Sequence, residues 1–173
     1  MQNKNAIYNI ASAFFIVLLQ IFVVRELNLW GIGFCYLYAS VLLLIPITFS
    51  KGYSLLIGFL LGLFIDIFYS TPGINSFASV LLVFLKPYVF KSIPTQANFE
   101  EGDLITPHNF GLINFIVFGF ILLIIHHFFI FQLEAYSSEF IWSSMFKALI
   151  STLFTLTSSI IVFYLIFSTK SRR

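Results

Sequence analysis

The chain has 173 residues, of which 60% are hydrophobic and 9% are charged. A soluble domain averages roughly 45–50% apolar and about 25% charged residues, and a short chain needs polar residues to cover its large relative surface. Nine basic and seven acidic side chains are too few for that purpose. The composition therefore excludes an ordinary water-soluble domain and predicts a protein whose solvent is lipid.

Long uncharged stretches separate the charged residues, for example 30 residues between Asp103 and Glu134. A helix that crosses a bilayer needs about 20 mainly apolar residues, whereas a membrane β-barrel needs segments of about ten residues that alternate in polarity. Residues 54–68 do not alternate. We therefore predict an all-α, polytopic membrane protein, a single domain over residues 1–173, with six helices near residues 7–24, 29–49, 52–69, 76–90, 109–131 and 141–167.

The basic residues predict the orientation of these helices. If the N-terminus is cytoplasmic, the loop at 91–108 is also cytoplasmic, and only Arg25 and Lys147 lie toward the outer side. The cytoplasmic side then holds Lys4, Lys51, Lys86, Lys91, Lys170, Arg172 and Arg173. Because Lys and Arg accumulate in cytoplasmic loops, we predict a multi-pass protein with both termini in the cytoplasm. The lone Cys35 excludes an intrachain disulfide, and no basic tract indicates nucleic acid.

In the third predicted helix, every fourth residue is small or polar. We call this set the glycine stripe: Ser54, Gly58, Gly62, Asp66 and Ser70. A four-residue step keeps these positions on one face, and the Gly58-x-x-x-Gly62 spacing lets two helix backbones approach closely. Asp66 is the only acid inside a predicted helix. It either caps the turn at residues 70–73 or serves a ligand or a proton, since acids within the membrane are often functional.

A second stripe with the same spacing follows the sixth predicted helix. We call it the hydroxyl stripe: Ser143, Lys147, Ser151, Thr155 and Ser159. Our hypothesis is that the two stripes pack together and bring Asp66 near Lys147, although plain helix packing without an ion pair is an open alternative. His126 lies at a similar depth, so Asp66, His126 and Lys147 form a candidate outer polar cluster. His126 and His127 point about 100° apart, which argues against a metal centre.

The fourth predicted helix carries Lys86 and Pro87 near its end. We expect Lys86 to extend toward the cytoplasmic face and Pro87, which lacks an amide hydrogen, to mark the end of the helix. The sequence contains no nucleophile elbow, phosphate loop or zinc-protease motif. We therefore predict no catalytic residues, no metal and no cofactor.

Residues 58–66 read GFLLGLFID, and a short turn with Pro72 and Gly73 leads from them into another apolar helix. Over residues 58–85 this arrangement resembles the MreD family of rod shape-determining proteins, which also has a similar length and about six spans. The resemblance implies that the family positions here shape the corner between the third and fourth helices rather than catalyse. These positions are Gly58, Gly62, Asp66 and Gly73.

The resemblance also implies a fold and a set of partners. The fold is expected to be similar to the substrate-binding component of energy-coupling-factor transporters. The function is expected to be that of a non-enzymatic subunit of the elongation machinery in the bacterial inner membrane. Such a subunit binds MreC directly and works, directly or indirectly, with MreB and with RodA and its class B penicillin-binding protein.

Two other functions stay open. A small-ligand, vitamin-type component of a membrane transporter would use Asp66, His126 and Lys147 around a pocket. An enzyme of a lipid pathway is the third reading, and the missing catalytic motifs argue against it. The short outer connections leave little chain for a lid over a ligand, which favours the scaffold.

Overall fold

The computed structural model describes residues 2–95, 99–100 and 102–167, with side chains from residue 7 onward. Three of the basic residues used above, Lys170, Arg172 and Arg173, lie outside the described residues, as does Glu101. The described elements in chain order are α1 (Gln2–Phe22), a 3-10 turn (Val24–Glu26), β1 (Asn28–Leu29), β2 (Gly33–Phe34), α2 (Leu37–Leu44), α3 (Lys51–Tyr69), α4 (Ile74–Ser92), α5 (Pro107–Phe110), α6 (Leu112–Ala135), a second 3-10 turn (Ser138–Phe140) and α7 (Ile141–Phe167).

Among the described residues, four helical stretches are long and apolar enough to cross a membrane. They are Lys51–Tyr69, Ile74–Ser92, Leu112–Ala135 and Ser138–Phe167. The apolar part of α1, Ile7–Phe22, is shorter. These helices confirm the coarse prediction of a helical membrane protein, and α3, α4, α6 and α7 lie where the sequence places the third to sixth helices.

The prediction of a helix over residues 29–49 is wrong. β1 and β2 form an antiparallel ribbon there, with a turn in which Trp30 and Gly31 both have positive φ. The Asn28 side chain accepts a hydrogen bond from the Gly31 N–H at 3.0 Å, which stabilises the turn. The helix that follows, α2, ends at Leu44 because Ile45 precedes Pro46 and takes an extended conformation.

The spanning helices pack in the order α3, α4, α6, α7, each against the next. The short helix α2 lies in the middle, in contact with α4, α6 and α7, and α1 packs against α2. All side chains of α2 except Val41 are buried, whereas α3 keeps large apolar side chains such as Phe59 and Ile67 on its outer face. The polar residues of α2, Tyr38 and Ser40, are therefore enclosed by helices on several sides.

Candidate functional site

The glycine stripe of α3 packs against α4. A Cβ atom added at Gly62 would lie 2.5 Å from the Ser76 Cα, and one added at Gly58 would lie 3.0 Å from Cγ2 of Val83. Only glycine allows so close an approach of the two backbones. The prediction that this stripe packs against the hydroxyl stripe of α7 is therefore wrong, because the short turn after α3 makes α4 its antiparallel neighbour.

Asp66 accepts five hydrogen bonds from the turn and from the first residues of α4. Its Oδ1 accepts from Thr71 Oγ1 at 2.8 Å, from the Asn75 N–H at 2.9 Å and from Asn75 Nδ2 at 3.1 Å. Its Oδ2 accepts from the N–H of Ser76 at 2.9 Å and from the Ser76 hydroxyl at 2.6 Å. The carboxylate thus satisfies free N–H groups at the N-terminus of α4, where the helix dipole also favours a negative charge.

Gly73 is needed at this corner for its backbone conformation. It precedes α4 with φ at 82°, and a Cβ there would meet no atom within 4 Å. The left-handed conformation, which side chains other than glycine rarely adopt, is therefore the requirement. It turns the chain so that the first N–H groups of α4 face the Asp66 carboxylate.

A chain of buried side chains joins Asp66 to His126. The Tyr38 hydroxyl donates to Asn75 Oδ1 at 2.8 Å and lies 3.1 Å from His126 Nε2. Since the Tyr38 hydrogen goes to Asn75, Nε2 of a neutral His126 is the donor to the Tyr38 oxygen. Its Nδ1 has no hydrogen-bond partner among the described residues. We call Asp66, Asn75, Tyr38 and His126 the buried polar network.

Of the three residues in the predicted outer cluster, Lys147 is not part of this network. The structure brings Asp66 and His126 together only through Asn75 and Tyr38. Lys147 is half-buried and lies near the carboxylate of Glu134. Within the described part of the chain, no ion pair joins Lys147 to Asp66, because the two stripes face different neighbours.

The hydroxyl stripe of α7 packs against an extended segment, residues 33–36, which consists of β2 and the two residues before α2. The main-chain N–H of Phe34 donates to Ser151 Oγ at 2.9 Å, and the N–H of Tyr36 donates to Thr155 Oγ1 at 3.0 Å. A Cβ at Gly33 would lie 2.6 Å from Cγ2 of Ile150. The glycine permits the close approach, and the hydroxyls satisfy backbone groups that a membrane interior cannot hydrate.

The amide of Gln20 on α1 completes this arrangement. Its Nε2 donates to the carbonyl of Cys35 at 3.1 Å, and its Oε1 accepts from the Tyr38 N–H at 3.3 Å. Gln20 is fully buried. Helices on both sides thus supply the hydrogen bonds that the extended segment lacks.

The adjacent histidines of α6 face different partners. His127 Nδ1 lies 2.9 Å from Thr152 Oγ1 on α7, whereas His126 contacts Tyr38. In residues 2–95, 99–100 and 102–167, no group of three His, Cys, Asp or Glu side chains is arranged to hold a metal ion. The chemistry of this region is therefore that of donors and acceptors which join helices.

Lys86 does not extend toward the surface, so that prediction is wrong. Its side chain is 3% exposed, and its Nζ donates to the carbonyl of Leu42 at 2.8 Å and to that of Ile45. These are unpaired carbonyls at the end of α2, which attract a cation. Pro87 likewise does not end its helix, because α4 continues to Ser92.

Sequence reasoning missed Tyr38, Asn75 and Gln20 as members of the polar contacts. Gln20 is a single polar group within an apolar stretch, and this signal could have singled it out, because burial requires a hydrogen-bond partner. Asn75 follows a polar turn and Tyr38 lies close to Tyr36 and Ser40, so the sequence gives no comparable signal for them. Comparison of the chain with protein-family models, curated proteins and solved structures finds no match.

Proposed function

We propose that this chain is a non-enzymatic membrane scaffold of the bacterial cell-elongation machinery, of the MreD type. The observation that carries the proposal is the Asp66 carboxylate, which is 5% exposed and accepts five hydrogen bonds from its own turn and α4. A carboxylate has about four lone-pair sites. Asp66 therefore has no acceptor capacity left for a ligand, and its role is to hold a corner.

The other family positions support the same role. Gly58 and Gly62 allow the close approach of α4, and Gly73 supplies the left-handed conformation of the turn. All four positions thus serve one rigid unit of two helices. A rigid corner suits a subunit that positions other proteins. A transporter instead needs side chains whose contacts change between the states of its cycle.

The proposal includes a topology of six membrane crossings in the bacterial inner membrane. In it, the extended segment and α2 together make the second crossing, since irregular backbone is tolerated at membrane depth where protein encloses it. Both termini are cytoplasmic, and the arrangement is similar to the substrate-binding component of energy-coupling-factor transporters. MreC is the direct partner, and MreB and RodA with its class B penicillin-binding protein are direct or indirect partners.

Co-purification tests the proposal. The full chain, expressed with an affinity-tagged MreC from the same genome, is expected to remain bound to it through detergent extraction and size-exclusion chromatography. An unrelated single-span protein with the same tag is the control. Failure to retain the chain on MreC under conditions that keep it folded would contradict the scaffold.

A small-ligand transport component is the second candidate, and His126 is the observation that favours it. The residue is fully buried, and its Nδ1 has no partner among the described residues. A ligand of the vitamin type would raise the melting temperature of the purified chain, and His126→Phe would remove that rise. The scaffold predicts no such rise in a panel of vitamins, with or without the substitution.

A further inference from the structure

A cleft of about 260 Å³ lies between the end of α2, the beginning of α3 and the last turns of α4. Its lining includes Lys51, Lys86 and Lys91, and none of the described residues that line it carries a carboxylate. Apolar groups such as Phe49 and Val83 form the rest of the wall. Three lysines in the lining of one small cleft make it suited to an anion.

The buried Lys86 side chain is held in a fixed position in the wall of this cleft. Its Nζ donates to the carbonyls of Leu42 and Ile45, and an ammonium group has three hydrogens. These two carbonyls orient the ammonium group but carry only partial negative charge. Across the described part of the chain, no carboxylate forms an ion pair with Lys86.

The Lys51 ammonium lies against aromatic side chains of α4. Its Nζ is 4.3 Å from the centre of the Phe84 ring and 5.7 Å from that of Tyr88. Cation–π attraction of this kind holds an ammonium group near a ring without neutralising it. Lys91 is exposed at the end of the same helix. The two outer lysines are thus placed at the rim of the cleft.

The loop between α4 and α5, which carries Glu100 and Asp103, lies beside the cleft and does not occupy it in the described residues. The Gly102 N–H donates to Thr48 Oγ1 at 3.3 Å, which brings the loop close to the segment before α3. The Asp103 carboxylate instead accepts from the Glu100 N–H at 2.9 Å. Within the described part of the chain, neither Glu100 nor Asp103 forms an ion pair with a lysine of the cleft.

We propose that this cleft binds the phosphate headgroup of an anionic phospholipid. It lies at the shared end of α3 and α4, which are both long enough to cross a membrane, and therefore at the depth of lipid headgroups. Basic pockets between membrane helices are suited to anionic headgroups, and the apolar wall suits the first carbons of the acyl chains. This lipid site is independent of the scaffold function.

Native mass spectrometry of the full chain in detergent tests the site. Phosphatidylglycerol and phosphatidylcholine are titrated separately, and glycerol 3-phosphate and inorganic phosphate serve as soluble probes. We expect phosphatidylglycerol to bind more tightly than phosphatidylcholine, and each of Lys51→Gln and Lys91→Gln to weaken it by about fivefold. Both lysines are exposed, so the variants are expected to fold, which circular dichroism checks. Lys147→Gln, at the opposite end of the bundle, is the matched control and should leave binding unchanged.

Lys86→Met tests the buried lysine, with the melting temperature of the variant measured beside its lipid binding. In a folded variant, phosphatidylglycerol binding should weaken at least as much as in Lys51→Gln. Equal binding of the two lipids, or equal effects of Lys147→Gln and Lys51→Gln, would overturn the proposal. Lysine-dependent binding of the soluble phosphates as tight as that of phosphatidylglycerol would assign the cleft to a free phosphate compound and overturn the lipid assignment.

Discussion

The glycine stripe of α3 and the hydroxyl stripe of α7 share a four-residue spacing, yet they pack against different kinds of backbone. Gly58 and Gly62 lie against α4, a regular helix. Ser151 and Thr155 lie against the extended segment that contains Phe34 and Tyr36. Spacing therefore determines which residues share a face, whereas the chemistry of those residues determines which neighbour that face accepts.

The difference follows from the needs of the two neighbours. A helix in the membrane satisfies its own N–H groups, so a packing partner has only to leave space, and glycine does so. An extended segment leaves N–H groups without partners, and a face that covers it must supply acceptors. Hydroxyl side chains do this at short range, as the contacts of Phe34 and Tyr36 with α7 show.

The largest effect is expected at Gly62, where the packing surfaces leave no room. Gly62→Leu would place a side chain where even a Cβ lies 2.5 Å from the Ser76 Cα, and we expect a loss of about 4 kcal/mol in the free energy of unfolding. Gly52 on the same helix has no atom within 4 Å of an added Cβ. Gly52→Leu should therefore be nearly neutral in detergent unfolding measurements. Equal losses for the two variants would show that the glycine stripe does not pack against α4.

The next largest effect is expected at Asp66. Asp66→Asn removes the charge and turns an NH₂ group toward donors from Thr71, Asn75 or Ser76, so we expect a loss of about 3 kcal/mol. The control is Asp103→Asn, since the Asp103 carboxylate accepts one loop hydrogen bond from Glu100. Asp103→Asn should lower the free energy of unfolding by less than about 1 kcal/mol. Thermal unfolding that ranks Asp103→Asn at or above Asp66→Asn would contradict the capping role.

A smaller effect is expected where the hydroxyl stripe meets the extended segment. Thr155→Val keeps the shape of the side chain and removes the acceptor for the Tyr36 N–H, and we expect it to destabilise the chain by about 1.5 kcal/mol. Thr157 is exposed on the same helix and donates to the Leu153 carbonyl of its own helix. Thr157→Val should change the free energy of unfolding little. If both substitutions are neutral, the hydroxyl does not hold the extended segment.

The smallest effect concerns the ion pair that the sequence suggested. Asp66 and Lys147 have no ion pair among the described residues, so Asp66→Asn and Lys147→Gln should add in a double-mutant cycle to within about 0.5 kcal/mol. A direct pair would give a larger coupling. Free energies of unfolding for the two single variants and the double variant measure it.

The sequence predicts α3, α4, α6 and α7 well because long apolar runs between charges have one stable form in lipid, a helix. It predicts part of the α3–α4 corner for a similar reason. The spacing of Gly58 and Gly62 already indicates close packing, and the position of Asp66 before a turn already allows a cap. Local patterns of this kind are sufficient when the neighbour in space is also the neighbour in the chain.

The extended segment could not be predicted from hydropathy, because a buried extended segment is as apolar as a buried helix. The local signs against a long helix are Gly31, Gly33 and Pro46. Hydropathy averaged over the whole stretch does not reveal them. The orientation of Lys86 could not be predicted either, since its partners are the carbonyls left without helical partners at the end of α2. A contact to the end of another helix can be predicted only when the tertiary structure is known.

Disulfide crosslinking tests most directly the claim that the glycine stripe packs against α4. An added Cβ at Gly58 lies 3.5 Å from the Val83 Cβ, which falls at the short end of the range for disulfides of about 3.5–4.5 Å. In a Cys35→Ala background, the pair Gly58→Cys with Val83→Cys should crosslink under mild oxidation in native membranes, whereas Gly58→Cys with Ser151→Cys should not. Crosslinking of the second pair without the first would place the glycine stripe against α7 and contradict the account.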